Sequence, residues 1–147
     1  MSDNDCLSIY HVVIELPVLW GDEDAFGHVN NTVYLRWCES ARVAYLQRIG
    51  LWQWDRGDGI GPILASISFD YKRPVNYPDT VRIGVRVVRI GNSSFRMDHL
   101  ITSQASGAVV ASAESTMVAF DYRNNAPVRV PDEVREAIAR IENGAAK

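Results

Sequence analysis

The sequence is poor in the residues that build metal sites and cross-links. Its 147 residues hold two cysteines, Cys6 and Cys38, and three histidines, His11, His28 and His99. No C-x-x-C occurs, and cysteines so few and so far apart exclude a disulfide framework and argue against structural zinc. No metal, no cofactor and a reducing compartment are expected. An excess of positive charge is also missing: 15 Lys and Arg stand against 18 Asp and Glu, for a net charge of -3. That balance leaves no broad electrostatic footprint for nucleic acid or an anionic membrane. No apolar run approaches the ~20 residues that span a bilayer. The acidic start, Met1-Ser2-Asp3-Asn4-Asp5, lacks the basic-then-apolar plan of a signal peptide. A cytoplasmic protein without a membrane or nucleic-acid partner is expected. Internal repeats, low-complexity tracts and linkers are absent as well, so a single domain is expected over 1–147, with loose ends at about 1–7 and 143–147.

What is present is the make-up of an ordinary globular domain, 47% hydrophobic and 22% charged. A chain of this length buries roughly two-thirds of its unfolded surface. Ser8–Leu19 is β-branched with partial alternation, and Pro17 suits an edge or a bulge. A polar turn follows from Gly21 to Asn30. The period then becomes helical: Val33, Trp37, Ala41, Ala44 and Tyr45 recur up to Ile49, and Tyr34, Cys38 and Leu46 widen the apolar face. Arg36, Glu39, Ser40 and Gln47 are left a narrow arc, so the helix reads as largely enclosed. Asn30 or Asn31 is a natural N-cap and Gly50 a natural stop. After a loop (Leu51 to Gly61), strands are expected at Pro62–Pro74, Asp79–Ile90, Ser94–Ser103 and Ala108–Tyr122. A short amphipathic helix closes the chain at Pro131–Ile141. Consecutive strands with short turns give an antiparallel meander, hence an α+β class: one curved sheet of five strands around one long helix.

The densest group of unusual residues runs from Trp20 to Tyr34, WGDEDAFGHVNNTVY. It holds three carboxylates, a histidine and two asparagines, and ends where the enclosed helix begins. Helix starts present unpaired N–H groups and a positive dipole end. Such groups polarise a carbonyl whose oxygen gains charge during attack, and a carboxylate just upstream can serve as base or nucleophile. The plainer reading is an acidic turn with an N-cap whose aspartates complement the dipole.

The motif Trp20-Gly21-Asp22-x-Asp24-x-x-Gly27-His28-Val29-Asn30-Asn31-x-x-Tyr34, followed by Glu39-x-Ala41-Arg42, resembles the 4-hydroxybenzoyl-CoA thioesterase family of hotdog-fold proteins. Phe69-x-Tyr71-x-x-Pro74 with Asp79, Gly91-x-x-Ser94-Phe95, Phe120-Asp121 and Val130-Pro131 continue the likeness in order, from about Tyr10 to about Ile141. The resemblance implies a helix wrapped by a five-stranded sheet, hydrolysis of acyl- or aroyl-CoA thioesters, and a homodimer with sites at its interface, often paired into a homotetramer. It makes Asp24 the catalytic carboxylate and the Asn31 N–H the group that polarises the thioester carbonyl. Asp22 supports, Gly27 permits the turn, and His28 and Tyr34 belong to the pocket.

Glu39 is the second candidate carboxylate. At 1.5 Å per residue it stands ~12 Å from the helix start, and as a plain surface residue it would pair with Arg36 or Arg42. Lys72, Arg73, Arg89 and Arg123 sit at strand ends, where CoA phosphates would find them. The resemblance sets Ser94 beside the pantetheine arm; Lys72, Arg73 and Arg89 are candidate CoA contacts by charge and position alone, and their plainer reading is that of solubilising surface cations. Gly57-x-Gly59-x-Gly61 lacks the strand and helix of a nucleotide fingerprint and reads as a flexible loop. Trp52 and Trp54 after the helix either border the acyl pocket or pack the helix end. The tryptophans read mostly as core or pocket lining, and His11 and His99 as sheet-face residues. The absence of G-x-S-x-G agrees with a thioesterase that needs no Ser-His-Asp triad. The competing functions are action on acyl carrier protein thioesters and a non-catalytic acyl-CoA sensor on the same scaffold.

Overall fold

The computed structural model describes residues 6–53 and 56–144. In chain order the elements are β1 (Val12–Pro17), a single 3-10 turn at Trp20–Asp22, α1 (Asn31–Arg48), β2 (Ile60–Tyr71), β3 (Thr80–Ile90), β4 (Ser94–Ser103), β5 (Val109–Asp121), β6 (Ala126–Pro127) and α2 (Asp132–Glu142). The strands form one antiparallel sheet in the order β1-β3-β4-β5-β2, with β6 paired to the end of β5.

Alternation decides which face of the sheet meets the helix. In β3, Val81, Ile83 and Val85 are fully buried, while Arg82 and Arg86 point to the other face. β4 turns Phe95, Met97, His99 and Ile101 inward, and β5 turns Ala111, Ala113, Ser115, Met117 and Ala119 inward. The alanines and the serine of β5 leave room for the large side chains of α1. That helix buries Val33, Tyr34, Trp37, Cys38, Ala41, Arg42, Tyr45 and Leu46, and packs chiefly on β3 and β1. Its exposed arc holds Arg36, Glu39 and Gln47, as the spacing predicts, and also Leu35.

Several element boundaries differ from the sequence expectation. β1 starts at Val12 rather than Ser8, because the preceding segment crosses the outer face of the sheet instead. There Leu7 is buried, and the Tyr10 ring sits over Gly84 and against the Arg86 guanidinium, 5.3 Å from ring centroid to cation. A Cβ on Gly84 would lie 2.6 Å from the Tyr10 ring and 2.9 Å from Leu7. β2 begins at Ile60, so the Gly57–Gly61 run straddles loop and strand rather than forming loop alone. It ends at Tyr71, and Lys72 and Arg73 both donate their N–H to the Val110 carbonyl. A sixth strand, β6, is two residues long and carries no alternation to read. Of the expected loose ends, 1–5 and 145–147 lie outside the described residues.

The C-terminal helix α2 buries Val134, Ala137, Ile138 and Ile141. Its last residue is a latch: Glu142 accepts hydrogen bonds from the Tyr45 hydroxyl (2.5 Å) and from the Val87 N–H (3.1 Å). Burial, then this hydrogen bond and charge, raise the Tyr45 pKa. At the other side of the sheet β2 is an edge strand of 12 residues. Ile63, Leu64 and Tyr71 on it are 39%, 40% and 49% exposed. A long apolar edge of this kind is one that folded proteins ordinarily cover.

Candidate active site

The loop from Asp22 to Asn30 is tied into a compact hairpin. Glu23 and Val29 form an isolated antiparallel bridge. The Asp24 N–H donates to the His28 carbonyl (2.9 Å), and Gly27 N–H donates to the Asp24 carbonyl (3.0 Å). Gly27 has φ +81°, a left-handed conformation that costs a glycine nothing. The loop is braced from the β2–β3 connection: Val29 N–H donates to the Val75 carbonyl (2.8 Å), and the Asn76 amide donates to the Gly27 carbonyl (2.5 Å) and to Glu23 (3.3 Å). Asn76 is a residue that sequence reasoning misses; it lies some fifty positions from the loop it holds, and no local pattern marks it.

The two aspartates divide the work. Asp22 is buried, 5% exposed; it accepts the Leu19 N–H (2.8 Å) and pairs with Arg36 of α1 (3.1 Å). It anchors the loop to the helix. Arg36 is thereby taken by Asp22, which leaves Arg42 of the two partners expected for Glu39, and the Glu39 charge does act on Arg42. Glu39 itself is exposed on the outer arc of α1. Asp24 is exposed, with one carboxylate oxygen accepting the Phe26 N–H (2.9 Å) and the other 3.4 Å from the Asn30 amide nitrogen.

Asn30 is the N-cap. Its side-chain oxygen accepts from the Thr32 N–H (2.9 Å) and hydroxyl (2.7 Å), which settles the choice between Asn30 and Asn31. Asn31 becomes the first helical residue. Among the described residues no acceptor is found for its N–H, the expected state of a first-turn donor. A carboxylate and a free, dipole-backed N–H thus share one short loop.

His28 is exposed, and so are Phe26 (90%) on the same loop and Trp20 (80%) in the turn before it. Tyr34 is buried, its ring 5.1 Å from that of Tyr71 and 4.9 Å from that of Trp37. Burial, then the neighbouring Tyr71, raise its pKa. Cys38, one turn on, is buried and pushed up to about 12, which makes it inert as a nucleophile at neutral pH.

The four candidate CoA contacts are spread along the sheet. Lys72 and Arg73 follow Tyr71, at the end of the sheet where the loop lies. Ser94 is at the opposite end, and Arg89, level with Ser66 of β2, lies between. Ser94 pairs with Val118 and Tyr71 with Ala111 of β5, a separation of roughly 23 Å along the strand at ~3.3 Å per residue. One chain does not bring Ser94 to Lys72 and Arg73. Trp54 lies outside the described residues. His11 is exposed, and its carbonyl accepts from Arg48 (3.4 Å). His99 is buried beside Ser115, its Nε2 3.0 Å from the Ser115 oxygen. Burial, then the charge of Arg42, hold it neutral, with a pKa of about 3. No group of three or more His, Cys, Asp or Glu able to hold a metal lies among the described residues, and no described helix is long and apolar enough to cross a membrane.

One long helix packed on an antiparallel sheet, with a short C-terminal helix and a carboxylate loop at the long helix's start, fits the class of hotdog-fold thioester hydrolases. A sequence model described as the thioesterase-like superfamily matches residues 18–138, and the chain belongs to that superfamily. It is similar to the long-chain acyl-CoA thioesterase FadM of Escherichia coli (strain K12), 29% identical over 118 residues, 80% of this chain and 89% of that protein. Among solved structures, a thioesterase of Thermus thermophilus complexed with coenzyme A and zinc is 35% identical, with a TM-score of 0.79 over 91% of this chain and 96% of that one. A gentisyl-coenzyme A thioesterase is 27% identical, with a TM-score of 0.75 over 86% of this chain and 98% of that one.

Proposed function

We propose that the protein hydrolyses acyl-CoA thioesters to the free acid and CoA, with Asp24 and the Asn31 N–H as its catalytic groups. The observation that carries this reading is their shared loop: an exposed carboxylate, and an unpaired N–H at the start of an 18-residue helix. Asp24 acts as nucleophile or as base for water, and the Asn31 N–H receives the oxyanion that forms on the thioester carbonyl. Collapse of that intermediate breaks the C–S bond and releases CoA as its thiolate; where water attacked, the free acid is left, and where Asp24 attacked, a water hydrolyses the resulting mixed anhydride to the free acid and the Asp24 carboxylate. A thioester carbonyl has little resonance stabilisation and a good leaving group, so one carboxylate and one aligned donor suffice. Asp22 holds the loop, Gly27 closes it, and His28 and Tyr34 line the approach. The loop's resemblance to the 4-hydroxybenzoyl-CoA thioesterases supports these roles, and the FadM and CoA-bound relatives support the substrate class.

The working form in this reading is a cytoplasmic homodimer joined through β2, with further pairing into a homotetramer open to measurement. The chain acts as one domain and needs no cofactor. A two-fold axis at the middle of β2 runs the paired strands antiparallel and sets the Ile60 end of one subunit beside the Tyr71 end of the other. That pairing carries Ser94, level with Ile63 of β2, toward Lys72 and Arg73 of the other subunit, while Arg89, level with Ser66, stays near the two-fold axis.

The test is turnover of an acyl-CoA panel. Asp24→Asn is isosteric and should lower kcat at least 100-fold while leaving folding and CoA affinity near wild type. Wild-type turnover in Asp24→Asn together with loss in Glu39→Gln would move the role to the helix carboxylate.

A further inference from the structure

Asp22, Glu23 and Asp24 follow one another in the loop, and the middle carboxylate has no part in the chemistry proposed above. Glu23 is in extended backbone, with φ -78° and ψ 141°, and is bridged to Val29. Side chains of extended backbone alternate in direction. Asp22 accordingly reaches Arg36 of α1, and Asp24 reaches toward Asn30 at the helix start. Glu23 turns the other way, to the β2–β3 connection. There its Oε2 accepts from the Asn76 side-chain amide (3.3 Å) and from the Tyr77 N–H (3.3 Å). The same amide nitrogen of Asn76 donates to the Gly27 carbonyl (2.5 Å).

These contacts flank Asp24 in the chain. Glu23 precedes it, and Gly27 closes the turn by donating its N–H to the Asp24 carbonyl (3.0 Å). One nitrogen, Asn76 Nδ2, therefore holds both ends of the turn. The Asp24 carboxylate has no comparable anchor: among the described residues it meets the Phe26 N–H and the Asn30 amide, both in its own loop. Residues 24–28 are exposed throughout, so packing does not fix the turn. The Val29 N–H to the Val75 carbonyl (2.8 Å) ties the loop where it rejoins the helix start, and leaves the Asp24 turn to Asn76.

We propose that Glu23 and Asn76 form a clamp that sets Asp24 against the Asn31 N–H, with Asn76 as a positioning residue and Glu23 as a hydrogen-bond acceptor that takes no part in the bond changes. The inference rests on the roles given above to Asp24 and Asn31. Turnover is sensitive to such placement: a misplacement of about 1 Å costs on the order of 100-fold in rate, and productive geometry has to be held within roughly 0.5 Å. Position 76 needs an amide because it donates twice. An ionised carboxylate there accepts only, and would face both the Gly27 carbonyl and the Glu23 carboxylate. Position 23 needs only an acceptor, so the carbonyl oxygen of a glutamine can replace Oε2.

The test is steady-state kinetics on an acyl-CoA thioester that the wild-type protein cleaves, with CoA affinity and the denaturant midpoint measured beside it. Asn76→Ala should lower kcat about 10- to 100-fold while KM and CoA affinity stay within about threefold of wild type. Asn76→Asp should lose at least as much. Glu23→Ala should also lower kcat, whereas Glu23→Gln should keep it within about threefold of wild type. The Glu23→Ala, Asn76→Ala double variant should lose less than the product of the two single losses, since both act through one contact. A loss of about 100-fold in Glu23→Gln would make Glu23 a reacting group and overturn the proposal. Wild-type kcat in Asn76→Ala would overturn it too, as would a loss in that variant that follows KM and the denaturant midpoint down together. The turn itself is read by amide hydrogen exchange. Asn76→Ala should speed exchange at Asp24 and Gly27 about tenfold and leave β3 and β4 unchanged, while Glu23→Gln leaves all of them unchanged. If the wild-type protein cleaves no thioester, the hydrolytic reading fails while exchange still decides the clamp; unchanged exchange at Asp24 and Gly27 in Asn76→Ala would overturn it.

Discussion

Asn31 separates the cap function of a helix start from its use as a donor. Alanine at this position keeps the backbone N–H, and Asn30 still caps the helix through Thr32, so Asn31→Ala should cost well under the ~1 kcal/mol of a lost cap. Proline is tolerated at the first helical position because that N–H has no intrahelical partner, yet it deletes the donor. Asn31→Pro should fold and bind CoA but turn over on the order of 100- to 1000-fold more slowly; equal rates in the two variants would place carbonyl polarisation elsewhere. A second residue-scale prediction concerns His99. Its folded pKa, about 3, lies below the ~6.5 of an exposed histidine, so the unfolded chain binds a proton that the folded chain refuses. The stabilisation is complete above pH 6.5 and is lost as pH falls from about 6.5 toward 3, on the order of 2 kcal/mol at pH 5. Denaturant midpoints at pH 7.5 and pH 5 should therefore differ more in wild type than in His99→Gln; parallel shifts would refute the assignment. At this scale the Asp24 motif was legible because turn geometry and helix capping both act over a dozen adjacent residues. Asn76, Arg36 and the burial of His99 were not, since each depends on a partner far along the chain.

Elements follow the same division. The alternation of β3 and β4 and the enclosed face of α1 were readable because burial imposes their period directly. β1 is shorter than its composition predicts because Ser8–Tyr10 carries strand-forming residues that the fold uses to cover Gly84 from outside. The Glu142 latch is an element-scale device, joining α2 to α1 and β3 through one carboxylate. Glu142→Ala would strand the buried Tyr45 hydroxyl and the Val87 N–H, and should cost about 1–3 kcal/mol of unfolding free energy. Tyr45→Phe keeps the carboxylate bonded to Val87 and removes the hydroxyl that needs a partner, so its cost should be smaller. Chemical denaturation of the two variants checks the order; a larger loss in Tyr45→Phe would show that ring packing, not the latch, holds α2 in place.

For the whole molecule, the exposed β2 edge is what the proposed dimer would cover. Sedimentation or light scattering at micromolar concentration should give the mass of a dimer or a multiple of one. Charged substitutions on the edge, Ile63→Lys with Leu64→Lys, should shift that mass toward the monomer and lower turnover with it if the proposed site draws on both subunits. A monomeric wild-type protein with full activity would contradict the edge-paired arrangement.

Composition, the change of period from 2 to 3.6 and back, and the loop motif determined the α+β class, the enclosed helix and the two groups nominated for the chemistry. Each is set by neighbours in sequence or by a periodic demand of burial, and both leave marks on a linear string. The tertiary structure alone decided that Asp22 is buried as an anchor, that Arg36 answers it instead of Glu39, that Asn76 braces the loop, and that Lys72 and Arg73 stand at the opposite end of the sheet from Ser94. Those outcomes turn on which strands become neighbours and in what register, and register sums contacts spread over the whole chain.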